Sequence, residues 1–408
     1  MKVAVIYQYY QGHEAPGHSL VYELTQHLAE RGHEVTVVSG ETGYMRTDPP
    51  SRPWYRRLLR RERDGAVNII RTFTYTQLHR SYLGRLLGFI SFSLTAPIGL
   101  LRVPRPDVVL ASSPPIFPML PVWLVCKLRG IPLVFEVRDL WPSSAVQMGI
   151  LRNRLLISVM SWMERLLYRH AARIVTLTAG IRDDIAARGW PVEKLQVITC
   201  GIDRHMLFPD LPAGQCIRRE LGWEHCHIVL YLGAMGDANN LDVLLEAARH
   251  SQDERLRYLL VGDGMRRPWL QARVEALGLD NVRILPPVPK HQARAYINAA
   301  DICVVTLLDI PLFLGAIPTK LLDYMACARP VLCGVAGEAG QIVEKAGAGI
   351  LFAPNDASRL AELVEQLRHD QDDCLLMGQR AHAYVREHFD AQHNRSAMEA
   401  LLISVAKG

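Results

Sequence analysis

The chain has 408 residues, of which 49% are hydrophobic and 21% charged, and this composition excludes a disordered or fibrous protein. Residues 1–195 contain 25 Lys and Arg against 15 Asp and Glu, so the first half is basic, whereas the rest is acidic with 21 against 26. The eight cysteines form no CxxC pair, which favours reduced core cysteines over a disulfide framework or a metal site. The opening MKVAVIYQYYQGHE lacks the apolar run of a secretory signal, so we expect a cytoplasmic protein.

The basic character of the first half is densest just after Trp54 and Tyr55. Aromatic residues beside basic ones suit an anionic bilayer surface, although a solvated loop is an equally good interpretation. No nucleic-acid-binding module accompanies them, so no nucleic acid partner is expected. The longest apolar stretch, residues 86–101, contains Pro97 and is shorter than the roughly 20 residues of a membrane span, which predicts a buried helix. The arginines of the cluster are Arg56, Arg57, Arg60, Arg61 and Arg63.

Short runs rich in Val, Ile and Leu recur along the whole chain with helical segments between them. Leu20, Leu24 and Leu28 place the first helix, which Gly32 ends. Near-continuous apolar strands alternating with helices are typical of a parallel sheet covered on both faces. The predicted strands of the first half are 3–7, 35–39, 67–72, 107–112, 133–137, 173–178 and 196–200. Those of the second half are 228–232, 258–261, 282–285, 302–306, 330–333 and 350–352.

The segment 204–223 lacks such a run and contains Pro209, Pro212 and Gly214, which places a domain junction there. The sequence therefore predicts an α/β protein with two Rossmann-like domains, 1–204 and 205–385. A C-terminal helix, 386–408, would pack back on the first domain. Ligands of open parallel sheets bind beyond the carboxyl ends of the strands, so the segments after the strands are where chemistry is expected.

Two such segments lie in the first half. QGHEAPGHS, at 11–19, follows the first strand, and its Gly17 would let the backbone approach an anion while His13 could hydrogen-bond in the site. The segment is not GxGxxG, which disfavours an ordinary dehydrogenase. FEVRDLWP, at 135–142, ends a strand with three charged residues, and strand alternation sends Glu136 and Arg138 to one side and Asp139 to the other. Either Arg138 or Asp139 is therefore expected to contact the donor or the acceptor. The alternative is an internal Arg–carboxylate pair that braces the loop.

The two segments of the second half predict a phosphate site. YLGAMG, at 231–236, is a strand followed by a glycine turn that lets backbone amides approach a phosphate; Gly233, Met235 and Gly236 are its predicted contacts. The Gly262–Gly264 turn is expected to be structural.

The second of these segments, FLGAIPTKLLDYMACARP at 313–330, leads from a loop into a helix that Thr319 could cap. Lys320, in the first turn, suits a diphosphate, and Asp323, on the same face, could bind ribose hydroxyls. A solvated Lys–Asp pair is the alternative. The predicted contacts are Gly315, Ala316, Pro318, Thr319, Lys320 and Asp323.

In the order and spacing of these segments, the chain resembles family 4 glycosyltransferases, retaining enzymes of the GT-B fold whose two domains face each other across a cleft. The segments ERGHEVTVVS, YLGAMG, LLVGDG, PTKLLDYMACARPVL and GAGILFAPND carry the resemblance. SSPP and EVRDLWP are most similar to the subgroup that builds bacterial surface polysaccharides, such as transferases of fucosamine-type sugars. The resemblance implies a nucleotide-sugar donor on the second domain and an acceptor on the first.

The carried-over motif is E-x7-E, whose second acid is matched by Asp323 and whose first acid falls at Gly315, which has no side chain. The basic residue common after the glycine turn is replaced near Asn239 and Asn240. Arg138 stands where many members have His. These departures leave Lys320 as the clearest cation for a leaving diphosphate.

The resemblance thus implies transfer of a sugar, from a nucleoside-diphosphate sugar and most favourably a UDP-sugar, to an acceptor hydroxyl with retained configuration. A lipid-linked saccharide is the expected acceptor, which would place the enzyme in the cytoplasm or on the inner face of the membrane; no metal or cofactor is expected. The alternatives are a transferase of a soluble secondary metabolite, a nucleotide-sugar epimerase and a non-catalytic nucleotide-sugar-binding subunit. The predicted catalytic residues are His13, Arg138, Asp139 and Lys320.

Overall fold

The computed structural model of the chain describes residues 1–12, 15, 20–41, 58–75, 82–251 and 253–408. These residues form two compact units, one made of Met1–Thr199 with His393–Gly408 and the other of Cys200–Gln392. The boundary at Thr199 lies close to the junction predicted at 204. The predicted sites at His13, Gly17, Trp54, Tyr55, Arg56 and Arg57 lie outside the described residues.

The first unit is built on an eight-stranded sheet in the order β3-β4-β2-β1-β5-β6-β7-β8. Every neighbouring pair is parallel except β3 and β4, which are antiparallel. The central strands are buried along almost their whole length, as expected for a sheet covered on both faces. The strands are β1 Lys2–Ile6, β2 Glu34–Ser39, β3 Leu59–Asp64, β4 Val67–Thr72, β5 Val108–Ser113, β6 Leu133–Val137, β7 Arg173–Thr176 and β8 Leu195–Val197.

Helices cover both faces of this sheet. The first-unit helices are α1 Leu20–Glu30, α2 Tyr82–Leu101, α3 Met119–Arg129, α4 Ser143–Gln147, α5 Arg154–His170 and α6 Ala179–Ala187. The inward side of α1 joins one core with Val37. Gly99 of α2 lies against Val38, which points to the opposite face. Phe135 of β6 contacts Tyr168 of α5 on that same second face, with ring centroids 6.0 Å apart.

The second unit is a six-stranded, fully parallel sheet in the order β11-β10-β9-β12-β13-β14. Its strands are β9 His227–Leu232, β10 Leu256–Val261, β11 Val282–Leu285, β12 Ile302–Thr306, β13 Val331–Gly334 and β14 Gly349–Leu351. Its helices are α7 Leu211–Leu221, α8 Asp242–His250, α9 Arg267–Leu277, α10 Lys290–Ala299, α11 Thr319–Ala326, α12 Glu338–Ala346, α13 Ala357–His369 and α14 Gln371–His388. The final helix, α15 Ala391–Lys407, leaves this unit after Gln392 and continues in the first.

Each sheet has one position where the chain reverses its direction of winding. In the first unit this position lies between β1 and β5, and in the second between β9 and β12. The loops at the carboxyl ends of these strand pairs diverge to opposite faces and leave a crevice that favours ligand binding. The sheet order therefore directs attention to the segments after β1, β5, β9 and β12.

Two elements differ from the sequence-based expectations. Strand β3 was not predicted, because its sequence LRRERD is charged and lacks an apolar run; it pairs only at the sheet edge beside β4. The segment 86–101 does form a helix, but the expectation that it is buried was wrong for its outward side. Within α2, Leu94 is 68% and Ile98 50% exposed.

Helix α15 completes the core of the first unit. Met398, Leu401 and Leu402 are buried among residues of β1 and α1. Beside them, the Glu399 carboxylate accepts hydrogen bonds from His33 Nε2 at 2.8 Å and His27 Nε2 at 3.2 Å. Burial raises the pKa of Glu399, but the two hydrogen bonds and the nearby charges of Arg31 and His27 together outweigh burial, so the pKa of this carboxyl group lies below its ordinary value. The ionised carboxylate therefore stabilises the docked helix.

We expect Glu399→Gln to speed amide hydrogen exchange in residues 393–408 by about tenfold at neutral pH, since a hydrogen bond to a charged group contributes on the order of 1–2 kcal/mol. Because the folded-state pKa is lowered, this contribution is present above the unfolded-state pKa of about 4.3 and is lost as the pH falls through the folded-state pKa. The difference in exchange rate between the parent and the Glu399→Gln variant should therefore shrink in acid. Glu34→Gln, which removes an exposed pair with Lys2, is the control; equal exchange in the parent and the Glu399 variant would contradict the assignment.

Candidate functional site

The crevice of the second unit brings together a glycine turn and the start of a helix. Residues 233–236 follow β9, and α11 follows β12 after a loop. Gly233 has φ +150°, and a Cβ atom there would lie 3.1 Å from Lys320 Cε and 3.3 Å from Lys320 Nζ. A side chain at position 233 would therefore crowd the lysine, whereas glycine leaves its ammonium room.

Lys320 is held in a defined position by uncharged partners. Its ammonium donates to Tyr231 Oη and, over 3.0 Å, to Asn239 Oδ1. It lies 4.0 Å from the centroid of the Tyr231 ring, within the range of a cation–π contact. Tyr231 Oη in turn donates to the Ala234 carbonyl over 2.6 Å, which orients the hydroxyl. Burial lowers the pKa of Lys320 to about 7, so an anion brought to this ammonium would stabilise its charge.

Helix α11 is fixed to the end of β9 by a second tyrosine. Tyr324 is fully buried, and its Oη accepts the Leu232 N–H at 2.7 Å. The first amides of the helix have no acceptor within the helix itself and lie at its positive end. The residue before the helix is Pro318, with no side-chain cap, so the expectation that Thr319 caps the helix was wrong. Asp323 follows Lys320 by three residues, on the same side of the helix.

The glycine turn rests on the neighbouring turn after β10. A Cβ atom at Gly262 would lie 1.8 Å from the Gly233 carbonyl oxygen, and one at Gly264 would lie 2.3 Å from that of Met235. The Met235 amide donates to the Asp263 carbonyl over 2.8 Å. The Gly262–Gly264 turn thus packs directly against the glycine turn at 233–236 and supports it. The Met235 side chain is fully buried, and its backbone N–H and C=O are both engaged by the neighbouring turn, so the predicted phosphate contact at Met235 is not evident in the structure.

The remaining predicted residues of this unit border the same loop. Gly315 ends a single helical turn, Pro311–Gly315, and the Ala316 amide donates back to Phe313 O over 3.1 Å. Gly337, with φ +74°, lies beneath Leu314, where a Cβ atom would come within 2.1 Å of its carbonyl oxygen. This close approach fixes the path of the chain into α11.

Sequence reasoning missed a second cation near the glycine turn. Arg266 stacks on Trp269 at 3.8 Å and pairs with Asp242 at 2.8 Å; its amide donates to Met235 O over 3.0 Å. The available signal was its position two residues after Gly264, beyond β10, which neighbours β9 in the sheet. Its carboxylate partner indicates that Arg266 mainly holds the turn.

In the first unit, Arg138 lies at the end of β6 and contacts the segment after β1. Its guanidinium is 3.6 Å from the Glu136 carboxylate and donates to Tyr7 Oη over 3.3 Å. Glu136 also accepts a hydrogen bond from Ser112 Oγ at the end of β5. The alternative of an internal Arg–carboxylate pair is therefore present in the structure. The pair orients Arg138, whose side chain keeps 15% exposure.

Asp139 lies in the turn between β6 and α4. Burial raises the pKa of its carboxyl group, and its backbone carbonyl accepts the Trp141 amide at 2.9 Å. The predicted partners His13 and Gly17 lie outside the described residues. Among the residues that are described, no three His, Cys, Asp or Glu side chains cluster as a metal site.

Comparison with known proteins gives concordant results for both units. Residues 18–201 match the model of the glycosyl transferase 4-like domain, and residues 216–384 match that of the glycosyl transferases group 1. The chain is 23% identical over 363 residues to WcaI of Escherichia coli K12, named as a candidate colanic acid biosynthesis glycosyl transferase; the alignment covers 84% of this chain and 86% of WcaI.

Solved structures agree over nearly the full length. Sucrose-phosphate synthase from Thermosynechococcus elongatus superposes with a TM-score of 0.77 at 18% identity, covering 99% of this chain and 98% of that one. HepE from Anabaena, in complex with UDP-glucose, gives 0.71 at 17% identity, covering 99% and 100%. These likenesses show the fold, and the two family matches together span most of the sequence. The chain therefore belongs to the family 4 glycosyltransferases of the GT-B fold.

Proposed function

We propose that this glycosyltransferase moves a sugar from a UDP-sugar to a hydroxyl of a lipid-linked saccharide, with retained anomeric configuration, in the synthesis of a surface polysaccharide. The name of WcaI supports the polysaccharide, and the UDP-glucose complex of HepE supports the donor. The lipid-linked acceptor would place the reaction at the cytoplasmic side of a membrane.

The observation that carries the proposal is the position of Lys320. Its ammonium lies at the start of α11, beside the glycine turn after β9, and its hydrogen-bond partners Tyr231 and Asn239 are uncharged. A diphosphate at this point would accept hydrogen bonds from the ammonium and from the first amides of the helix. These donors stabilise charge that grows as the sugar leaves, which is the largest contribution that a protein of this kind makes to the rate.

The other donor contacts follow from the same placement. The Asp323 carboxylate would accept hydrogen bonds from the ribose hydroxyls. Gly233 and Gly236 would let backbone amides approach the phosphates. Gly315 stands where the family has an acid, so the loop Gly315–Pro318 would bind the donor sugar through its backbone. No metal takes part in the proposed reaction.

The acceptor residues of the proposal belong to the first unit. Arg138 is oriented by Glu136 and Tyr7 at the end of β6, so it would bind an anionic or hydroxyl group of the substrates. His13 and Gly17 are proposed as further contacts. The acceptor hydroxyl would lose its proton to the leaving phosphate on the same face of the sugar, as the family resemblance implies.

Three other functions are tested by the same assay. An epimerase would turn over the donor without an acceptor, and a non-catalytic subunit would bind the nucleotide sugar and release none. A transferase of a soluble metabolite would need no lipid-linked acceptor. Gly315 is the residue that favours the non-catalytic alternative.

We expect Lys320→Ala to lower kcat/KM for UDP release from UDP-sugar by on the order of 100-fold, because one donor to the leaving group is lost. Asp323→Asn should raise the KM for the donor about tenfold, as expected for one hydrogen bond to a charged group. Both are measured by acceptor-dependent nucleotide release with membrane extract or a lipid-linked saccharide.

The matched controls are Lys345→Ala and Asp372→Asn, which alter exposed residues of α12 and α14. Unchanged kinetics in the Lys320 and Asp323 variants would sink the donor-site assignment. Bound UDP-sugar with no release in the parent protein would instead favour the non-catalytic subunit.

The lowered pKa of Lys320 predicts proton uptake when the donor binds. With a pKa of about 7, the amine is largely neutral above that pH, and an adjacent diphosphate would raise the pKa and restore the ammonium. The Kd for UDP-sugar should therefore rise with pH between the pKa of Lys320 in the free protein and its pKa in the complex. Calorimetry in buffers of different ionisation enthalpy measures the uptake, and the same uptake in Lys320→Ala would refute this role.

Arg138→Ala should lower kcat by about tenfold or more and leave the Kd for UDP nearly unchanged, because the residue is assigned to the acceptor side of the reaction. Arg182→Ala is the control, since the Arg182 side chain is partly exposed and pairs with its neighbour Asp183. A loss of UDP affinity with kcat preserved would move Arg138 to the donor site.

A further inference from the structure

The helices that cover one face of the first sheet expose large apolar side chains on their outward sides. Those of α2 recur every three or four residues, so they form a single row along the helix. The most exposed are Leu94 at 68%, Leu128 of α3 at 78% and Leu155 of α5 at 75%. We call this set the outer helical face; its members are Leu87, Ile90, Leu94, Ile98, Leu101, Leu124, Leu128, Leu155, Val159 and Trp162.

The rows belong to neighbouring helices. Arg129 of α3 donates to the Leu100 carbonyl of α2 over 3.1 Å. Trp123 of α3 lies 4.9 Å from the ring of His170 on α5. Single exposed apolar residues are ordinary on protein surfaces, but several on adjoining helices form a patch of the kind that marks an interaction surface.

The charge of the outer helical face favours an anionic partner. Helices α2, α3 and α5 contain one acidic residue, Glu164, and it is buried and paired with Arg188 at 3.2 Å. Six basic residues on or beside the three helices are exposed. They are Arg102, Lys127, Arg152, Arg154, Arg165 and Arg169.

Helix α2 is long and apolar enough over Gly84–Leu101 to cross a membrane, but 39% of that segment is buried against the protein. A Cβ atom at Gly99 would lie 2.6 Å from Val38 Cγ1 and 2.9 Å from Thr72 Cγ2, so the helix backbone is seated on the sheet. A helix with one side on the protein and an apolar outward row is suited to lie along a bilayer surface.

We propose that the outer helical face docks the protein on an anionic lipid bilayer. Leu, Ile and Trp side chains of α2, α3 and α5 insert among the acyl chains, and the surrounding Arg and Lys side chains contact lipid phosphates. This face is separate from the arginines of β3, and the proposal does not depend on the identity of the donor or acceptor.

The test is flotation of the full-length protein with vesicles of phosphatidylethanolamine and phosphatidylglycerol, compared with vesicles of phosphatidylcholine alone. The parent should float with the anionic vesicles. The combined change Leu94→Glu, Ile98→Glu and Leu128→Glu should lower the partition coefficient at least about tenfold, because apolar area that enters the bilayer is replaced by charge. The control Leu375→Glu with Leu376→Glu alters exposed residues of α14 and should float like the parent.

Trp162, which is 51% exposed, reports insertion directly. Brominated phosphatidylglycerol should quench part of the tryptophan fluorescence of the parent, and that part should be missing in Trp162→Phe. Equal quenching in both proteins would show that α5 does not enter the bilayer. Nucleotide release with a soluble acceptor, unchanged in the Leu94, Ile98 and Leu128 variant, shows that the variant is folded and separates this proposal from the transfer reaction.

Two outcomes overturn the proposal. Flotation that persists in the triple Glu variant but is lost on replacing Arg60, Arg61 and Arg63 of β3 by Ser would assign the bilayer contact to that strand. Absence of flotation, together with a dimer in sedimentation that the Glu variant abolishes, would make the outer helical face an interface between two copies of the chain.

Discussion

The hydrogen bond between Lys320 and Tyr231 is the contact on which the candidate donor site depends. It joins the start of α11 to the end of β9, across the position where the sheet order reverses. The Tyr231 hydroxyl also donates to the Ala234 carbonyl, and Asn239 accepts a hydrogen bond from the same ammonium. Because the Lys320 side chain ties three segments together, the group that would bind the phosphates also holds the local structure, and removing that side chain would also loosen the turn.

The sequence was sufficient for the fold because the strands are buried on both faces and therefore read as apolar runs. It failed at β3, whose edge position lets a charged segment pair with β4. The proposed donor segment was chosen from Lys320 and its place after a strand. Its partners Tyr231 and Asn239 could not be predicted, since they lie 89 and 81 residues away along the chain and only the sheet order brings them close.

The same limit applies to α2. The side chains of α2 itself are apolar around nearly the whole helix. Hydropathy alone therefore could not separate the side that rests on Val38 from the side that bears Leu94. Small residues mark the difference: Gly99 permits close approach to the sheet, while the outward row is large and aliphatic. Similarly, an internal Arg–carboxylate pair was one of two interpretations open in the sequence. The structure identifies Glu136 as the partner of Arg138, and both the brace and an oriented cation are compatible with this contact.

Helix α15 gives the chain an interrupted first unit, since residues 200–392 intervene between its two parts. Met398, Leu401 and Leu402 fill a space beside β1 and α1 that nothing in residues 1–199 fills in the described structure. During synthesis, the ribosome releases these residues after the whole second unit. The unit that begins first is therefore finished last, and until then part of its apolar core is open to water and to chaperones.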